Sequence, residues 1–129
     1  MKTITLEELN PFSSIILDSC ITVHKAMGPG LLESIYHHCL VKELRLRNLK
    51  VESMVPVPLS YRGEELNKTY IIDLLIESEI IVEIKAIDGI LPIHEAQILS
   101  YLKLAHKRMG LLINFNVRLL KEGFKRFVN

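Results

Sequence analysis

Cysteine is scarce in this sequence, and what there is stands apart. Cys20 and Cys39 are its two cysteines, and no CxxC spacing offers a zinc site or a redox pair. Each sits singly in a helical pattern, where a buried, reduced thiol is the expected state. Excess charge is missing too. The formal net charge is +1, so no bulk basicity advertises nucleic acid or an anionic membrane, and such a partner would have to be met by a local patch. No apolar run approaches the ~18 residues that span a bilayer. The opening MKTITLEELNPF lacks the charged-then-apolar layout of a signal peptide. No linker, repeat or low-complexity tract divides the chain. The expectation is a cytoplasmic protein whose 129 residues form one domain with a modest core. With 49% hydrophobic and 24% charged residues, the composition is that of a folded chain rather than a disordered one.

What is present has a clear order. Asn10-Pro11 reads as a helix start, a capping side chain followed by a proline suited to the first turn. The helix runs through Phe12, Ile15, Ile16, Cys20, Val23 and Met27 until Gly28-Pro29-Gly30 breaks it. A second helix spans about Leu31 to Asn48, with His38, Lys42 and Arg45 on its polar side. VESMVPVPLSY alternates but carries Pro56 and Pro58, which marks an edge or irregular strand. Arg62-Gly63-Glu64 forms a turn, and strands are expected at about Lys68–Glu77 and Ile80–Ile87, joined by a tight reversal near Ser78-Glu79. Pro92 precedes a third helix, roughly Ile93 to Lys107. GLLINF reads as a short apolar strand of the buried kind. The tail LLKEGFKRFVN fits either a short helix or a last strand. The fold class is therefore α/β (α+β): a mixed central sheet of four to five strands flanked by helices, with a parallel crossover from Ile80–Ile87 through the third helix to GLLINF.

The segment IIDLLIESEIIVEIKAID, residues 71–88, raises a question of cost. It is the most strand-like stretch of the chain, yet it holds Asp73, Glu83 and Lys85, and a carboxylate buried in a strand is costly unless paired. Residues two apart on a strand share a face, so Glu83 and Lys85 lie side by side while Val82, Ile84 and Ala86 point the other way. An ion pair on a half-solvated face explains these two residues. Asp73 offers a second explanation. If the hairpin loop has an odd number of residues, or the pair carries a bulge, Asp73 joins the face of Glu83 and Lys85. A two-residue loop would turn it to the opposite face. Two carboxylates on adjacent strands with a lysine alongside suit Mg²⁺ or Mn²⁺, hard cations that take oxygen ligands and often only one or two protein carboxylates. Glu33 falls beside the apolar stripe of its helix, either as a boundary residue or as an acid facing such a site. His94, Gln97 and Tyr101 share one face of the third helix, by packing or as a polar stripe turned toward the site. His24 is a surface or satisfied core histidine on the same reasoning.

Together these residues resemble the GxxExxY proteins of the PD-(D/E)xK nuclease superfamily. Gly30 to Tyr36 fits GxxExxY, and VHKAMGPGLLESIYHHCL, YIIDLLIE, IIVEIKAI, PIHEAQILSYLKL and GLLINFNVRLLKEGFKR are similar to that family from about residue 14 to the end. The resemblance implies a restriction-endonuclease-like core and a divalent-metal-dependent nuclease acting on DNA more readily than RNA. Asp73 and Glu83 would ligate Mg²⁺ or Mn²⁺ with the Ile84 backbone carbonyl and Glu33, and His24 is similar in order to an upstream histidine of RecB-like nucleases. Lys85 would be the catalytic lysine. Gln97 and Tyr101 resemble the QxxxY element, with Tyr36 and His94 beside the substrate. Ile72 stands where the superfamily often has proline before the first strand acid. The alternative is an inactive nuclease-fold module that binds nucleic acid or a protein. Lys42, Arg45, Arg47 and Lys50, and Lys103, Lys107 and Arg108, are basic clusters that suit a nucleic-acid backbone or plain solvation. The low net charge points to weak intrinsic affinity, a homodimer, or a partner protein that delivers substrate.

Overall fold

The structure is a computed structural model and describes residues 3–129. Its first helix, α1 (Leu6–Met27), opens four residues before the expected Asn10-Pro11 start. Thr5-Leu6-Glu7-Glu8 supplies the reason. Thr5 is the N-cap and its hydroxyl accepts the Glu8 N–H at 3.2 Å, while Glu7 and Glu8 complement the positive end of the helix. Pro11 therefore lies inside the helix. It removes one backbone hydrogen bond there, while Leu9, fully buried two residues earlier, anchors the extension.

Helix α2 (Glu33–Leu46) returns antiparallel after the Gly28-Pro29-Gly30 break. Tyr36 fixes that connection. Its hydroxyl donates to the Gly28 carbonyl at 2.5 Å and accepts the Leu31 N–H at 3.1 Å. Its ring stacks on Phe115 with centroids 4.6 Å apart.

The sheet has five strands in the order β1-β2-β3-β4-β5. These are β1 (Val51–Tyr61), β2 (Glu64–Ile76), β3 (Ile80–Lys85), β4 (Met109–Asn114) and β5 (Phe124–Val128). The β1 strand with its two prolines is an edge, as expected. Strand β2 begins at Glu64 rather than Lys68, because Arg62 and Gly63 both adopt positive φ and close a two-residue hairpin that pairs Tyr61 with Glu64. Strand β3 runs parallel to β4 through α3 (Pro92–Ala105), which confirms the crossover. The tail resolves into a 3₁₀ turn at Leu120–Gly123 followed by β5, antiparallel to β4.

One face of the sheet packs on α1 and α2 through Leu74, Ile76, Val82, Ile84, Leu111 and Ile113. The other packs on α3 through Ile72, Leu75, Ile81, Ile98, Leu102 and Leu112. Cys20 is buried and Cys39 half-buried, both as free thiols, and burial pushes the Cys20 thiol well above its ordinary range. Among the described residues no helix is long and apolar enough to cross a membrane.

Gly123 lets the 3₁₀ turn pass against β4, since a Cβ there would lie 2.0 Å from the Asn114 carbonyl oxygen. Gly123→Ala is expected to destabilise the chain by about 2–3 kcal/mol. Chemical denaturation measures this, and an unchanged midpoint would contradict it.

Candidate active site

The carboxyl end of β3 is where polar side chains enter the core. Three residues, Glu77, Ser78 and Glu79, separate the paired Ile76 and Ile80. Glu77 and Ser78 both adopt positive φ, and the turn closes with the Glu79 N–H on the Ile76 carbonyl at 3.0 Å. An odd loop was the condition for bringing the acids together. The ladder runs Ile76–Ile80, Leu75–Ile81, Leu74–Val82, so the next facing positions are Asp73 and Glu83.

The β2–β3 ladder stops there. Asp73 Oδ2 accepts the Ile84 N–H at 2.8 Å and stands in for a strand partner as the two strands part. On the other side of β2, Met54 takes a positive φ of 54° in the middle of β1, and the β1–β2 pairing skips Met54 and Asp73. Asp73 therefore sits at a local break in both ladders, open to the α2 side and to Glu83 alike.

Glu83 is 6% exposed, so it is a buried carboxyl group rather than one member of a solvated ion pair. Burial, and then the neighbouring Asp73 carboxylate, push its carboxyl up to about 9 against the pull of Lys85. Its Oε1 is buried with no hydrogen-bond partner. Lys85, half-buried, follows on the same face at the end of β3.

Glu33 is the first residue of α2 and is exposed at the mouth of the site. Partial burial and the Asp73 charge raise its carboxyl, while Lys85 and His37 pull it back. Glu33 thus feels both strand residues. Even so, among the described residues no three His, Cys, Asp or Glu side chains are gathered closely enough to hold a metal ion. Glu33 is thus not gathered with Asp73 and Glu83 into a three-residue ligand set in this structure.

The remaining candidates divide. Tyr101 reaches the acids: burial and then the charges of Glu83 and Asp73 raise its hydroxyl. Tyr70, which the sequence did not single out, stacks on it with centroids 4.2 Å apart and is pushed up to about 12, first by burial. Gln97 is exposed on the same helix. His94 Nδ1 accepts the Leu91 N–H at 2.9 Å, so this ring caps the start of α3. Tyr36 is fully buried under the Gly28–Gly30 turn rather than turned to solvent. His24 is not gathered with the acids either. It is buried, with Nε2 at 2.8 Å from the Val117 carbonyl and its ring tilted against Phe115. Asn114 was hidden by the apolar look of GLLINF. It is 2% exposed, and its amide both accepts the Ile87 N–H (3.1 Å) and donates to the Ile87 carbonyl (2.9 Å). That clamp ends β3 at Lys85, two residues before the expected Ile87.

The family follows from a comparison with known proteins. The model of the PD-(D/E)XK nuclease superfamily matches residues 10–127. The chain belongs to that superfamily. No curated protein and no solved structure matches it. Its five-stranded mixed sheet flanked by helices is consistent with the restriction-endonuclease-like fold. Membership suggests a nuclease, and nucleases of this superfamily generally use divalent metals.

The residues present fit such an ion. Glu83 Oε1 is an orphaned, buried oxygen beside the half-buried Asp73 carboxylate, and two neighbouring acids, one of them buried, call for a proton or a cation between them. The donors are hard oxygens, and two carboxylates plus water and phosphate suffice for Mg²⁺.

This acid pair has a consequence for stability. Between about 4.5 and about 9, Glu83 keeps its proton in the folded chain and loses it in the unfolded one. The folded state then binds more protons, so stability of the metal-free protein falls as pH rises through that window. In chelator, the melting temperature is expected to decline from pH 5 to pH 9, and Glu83→Gln should flatten the decline and raise the value at pH 8. A Glu83→Gln chain with the parent's slope would rule this out.

Proposed function

We propose that the chain is a divalent-metal-dependent nuclease that hydrolyses phosphodiester bonds, in DNA more readily than in RNA, using Mg²⁺ or Mn²⁺. The observation that carries this reading is the buried, unpartnered Glu83 Oε1 facing Asp73 where β2 and β3 part. A structural ion pair would leave no such atom unsatisfied. The GxxExxY spacing of Gly30, Glu33 and Tyr36, together with Gln97 and Tyr101, supports a GxxExxY member of the RecB-like branch. We read the whole matched stretch as one nuclease-like unit.

In this reading Asp73, Glu83 and the Ile84 carbonyl would hold the cation, with Glu33 contributing from the mouth of the site. A bound divalent cation supplies positive charge for the phosphate and an acidified water as the nucleophile. Lys85 neutralises negative charge that builds on the scissile phosphate and orients the attacking water. Tyr101, braced by Tyr70, and Gln97 hold the backbone next to it. The side chain of Asp73 does double duty, since its bond to the Ile84 N–H keeps the β3 backbone turned toward the site.

Single- and double-stranded DNA and RNA incubated with Mg²⁺ or Mn²⁺ test the reading. Cleavage is expected with the parent chain, to vanish in chelator, and to fall by about 10²–10³-fold in Lys85→Ala, the scale of losing one electrostatic stabiliser. Asp73→Ala should lose activity at least as far. Cleavage that survives both substitutions would mark a contaminant and sink the assignment. Thermal shifts give a separate readout: Mn²⁺ is expected to raise the melting temperature of the parent but not of Asp73→Ala.

A further inference from the structure

A groove of about 760 Å³ lies between α2 and β1 and ends at Glu33 and Asp73. One drug-sized ligand fills such a space, the scale of a nucleotide or two. His37 Nε2 and Ser53 Oγ, both lining it, lie 2.7 Å apart across it from α2 to β1. Its rim is apolar in a way the fold does not explain: Leu32 is 70% and Met54 56% exposed, and both line the groove. Met54 is carried there by the left-handed kink opposite Asp73, and a non-glycine residue held in that conformation costs energy that the surroundings must offset. Arg45 lines the same groove. One of its nitrogens donates to the Val51 carbonyl at 3.0 Å, and no carboxylate pairs with it among the described residues.

We propose that this groove is a subsite for a single nucleic-acid strand. The strand lays the base next to the scissile phosphate against Leu32 and Met54, and a phosphate further along reaches Arg45 near the other end of α2. The substrate is then single-stranded or splayed at an end, not continuous duplex. This rests on the nuclease reading and narrows it. Apolar side chains need the face of a base, and a duplex keeps those faces stacked, whereas a single strand offers them freely. A cation set beyond an apolar rim matches the alternation of base and phosphate along one strand. Continuity favours nucleic acid over a peptide, because the acids that would face the scissile phosphate form one end of the same groove.

The test measures anisotropy of a labelled single-stranded DNA, and of the same sequence as a blunt duplex, on the full-length Lys85→Ala chain with Mg²⁺. The strand is expected to bind at least roughly tenfold more tightly than the duplex. Leu32→Glu, at a highly exposed position, and Met54→Glu should each weaken it roughly tenfold, the scale of losing one apolar contact of about 50 Å², with the melting temperature of Leu32→Glu unchanged. Equal affinity for duplex, or binding indifferent to both substitutions, would overturn the proposal. So would a dimer in sedimentation that Leu32→Glu splits, since the occupant would then be a second copy of the chain. The two readings fail separately. Duplex cleavage by the parent with both rim variants unaffected removes the groove and keeps the nuclease. Strand binding through the rim without any cleavage keeps the groove and removes turnover.

Discussion

Lys50 and Lys107 reach the Glu77–Glu79 turn from two sides. The Lys50 N–H donates to Glu77 Oε2 at 2.6 Å and its ammonium donates to Ser78 Oγ at 3.0 Å, while the Lys107 ammonium donates to the Ser78 carbonyl at 2.8 Å. The Glu77 N–H in turn donates to the Lys50 carbonyl at 2.9 Å. These bonds hold two successive non-glycine residues at positive φ and so keep the loop at three residues. Side chains alternate along a strand, so a loop shorter by one would send Asp73 to the other face. The candidate site at one end of the hairpin thus depends on a turn at its other end. Two residues of the basic clusters, which by composition suited a phosphate backbone, are engaged in this structural role. Arg47 is engaged likewise with Asp18 and Glu43.

The acids are held in place by interruptions of regular structure rather than by extra contacts. Strand β2 loses its ladder to β3 at Asp73 and skips one pair of its ladder to β1 at Met54, and β3 ends where Asn114 takes over the backbone of Ile87. Each break frees backbone groups that would cost energy if left unpaired, and a side chain satisfies them: Asp73 for Ile84, Asn114 for Ile87. Among the described residues, the buried side-chain oxygen left without a partner is Glu83 Oε1. An unsatisfied buried oxygen next to a second carboxylate marks a functional-site candidate. The α2 side of the same break opens into the groove, so the kink that isolates Asp73 also exposes Met54.

Much of this architecture was legible in the residues alone. Hydrophobic period, the Gly28-Pro29-Gly30 break and the prolines of β1 identified each element in order, because local periodicity and backbone punctuation act over a few residues. The misread boundaries have local causes as well. The cap at Thr5 and Glu8 is a T-x-x-E pattern that the Asn10-Pro11 reading passed over, and the helix keeps Pro11 inside it with Leu9 buried nearby. Asn114 was a polar residue at the end of an apolar run, a signal that could have been read. Tyr70 and Met54 carried none, since one acts by stacking on a distant helix and the other by a backbone conformation its side chain does not announce.

By itself the sequence determined the superfamily, the order of helices and strands, and the identity of the charged residues inside the two central strands, because these depend on residue type and short spacing. Tertiary structure decided which of them meet. It brought Asp73 to Glu83 through the length of one turn, kept Glu33 at the mouth, and sent His24, Tyr36 and His94 to structural work. The physical reason is that a side chain's direction is set by register and by the partners its backbone finds across the fold. Those partners lie up to tens of residues away, beyond the reach of any local pattern.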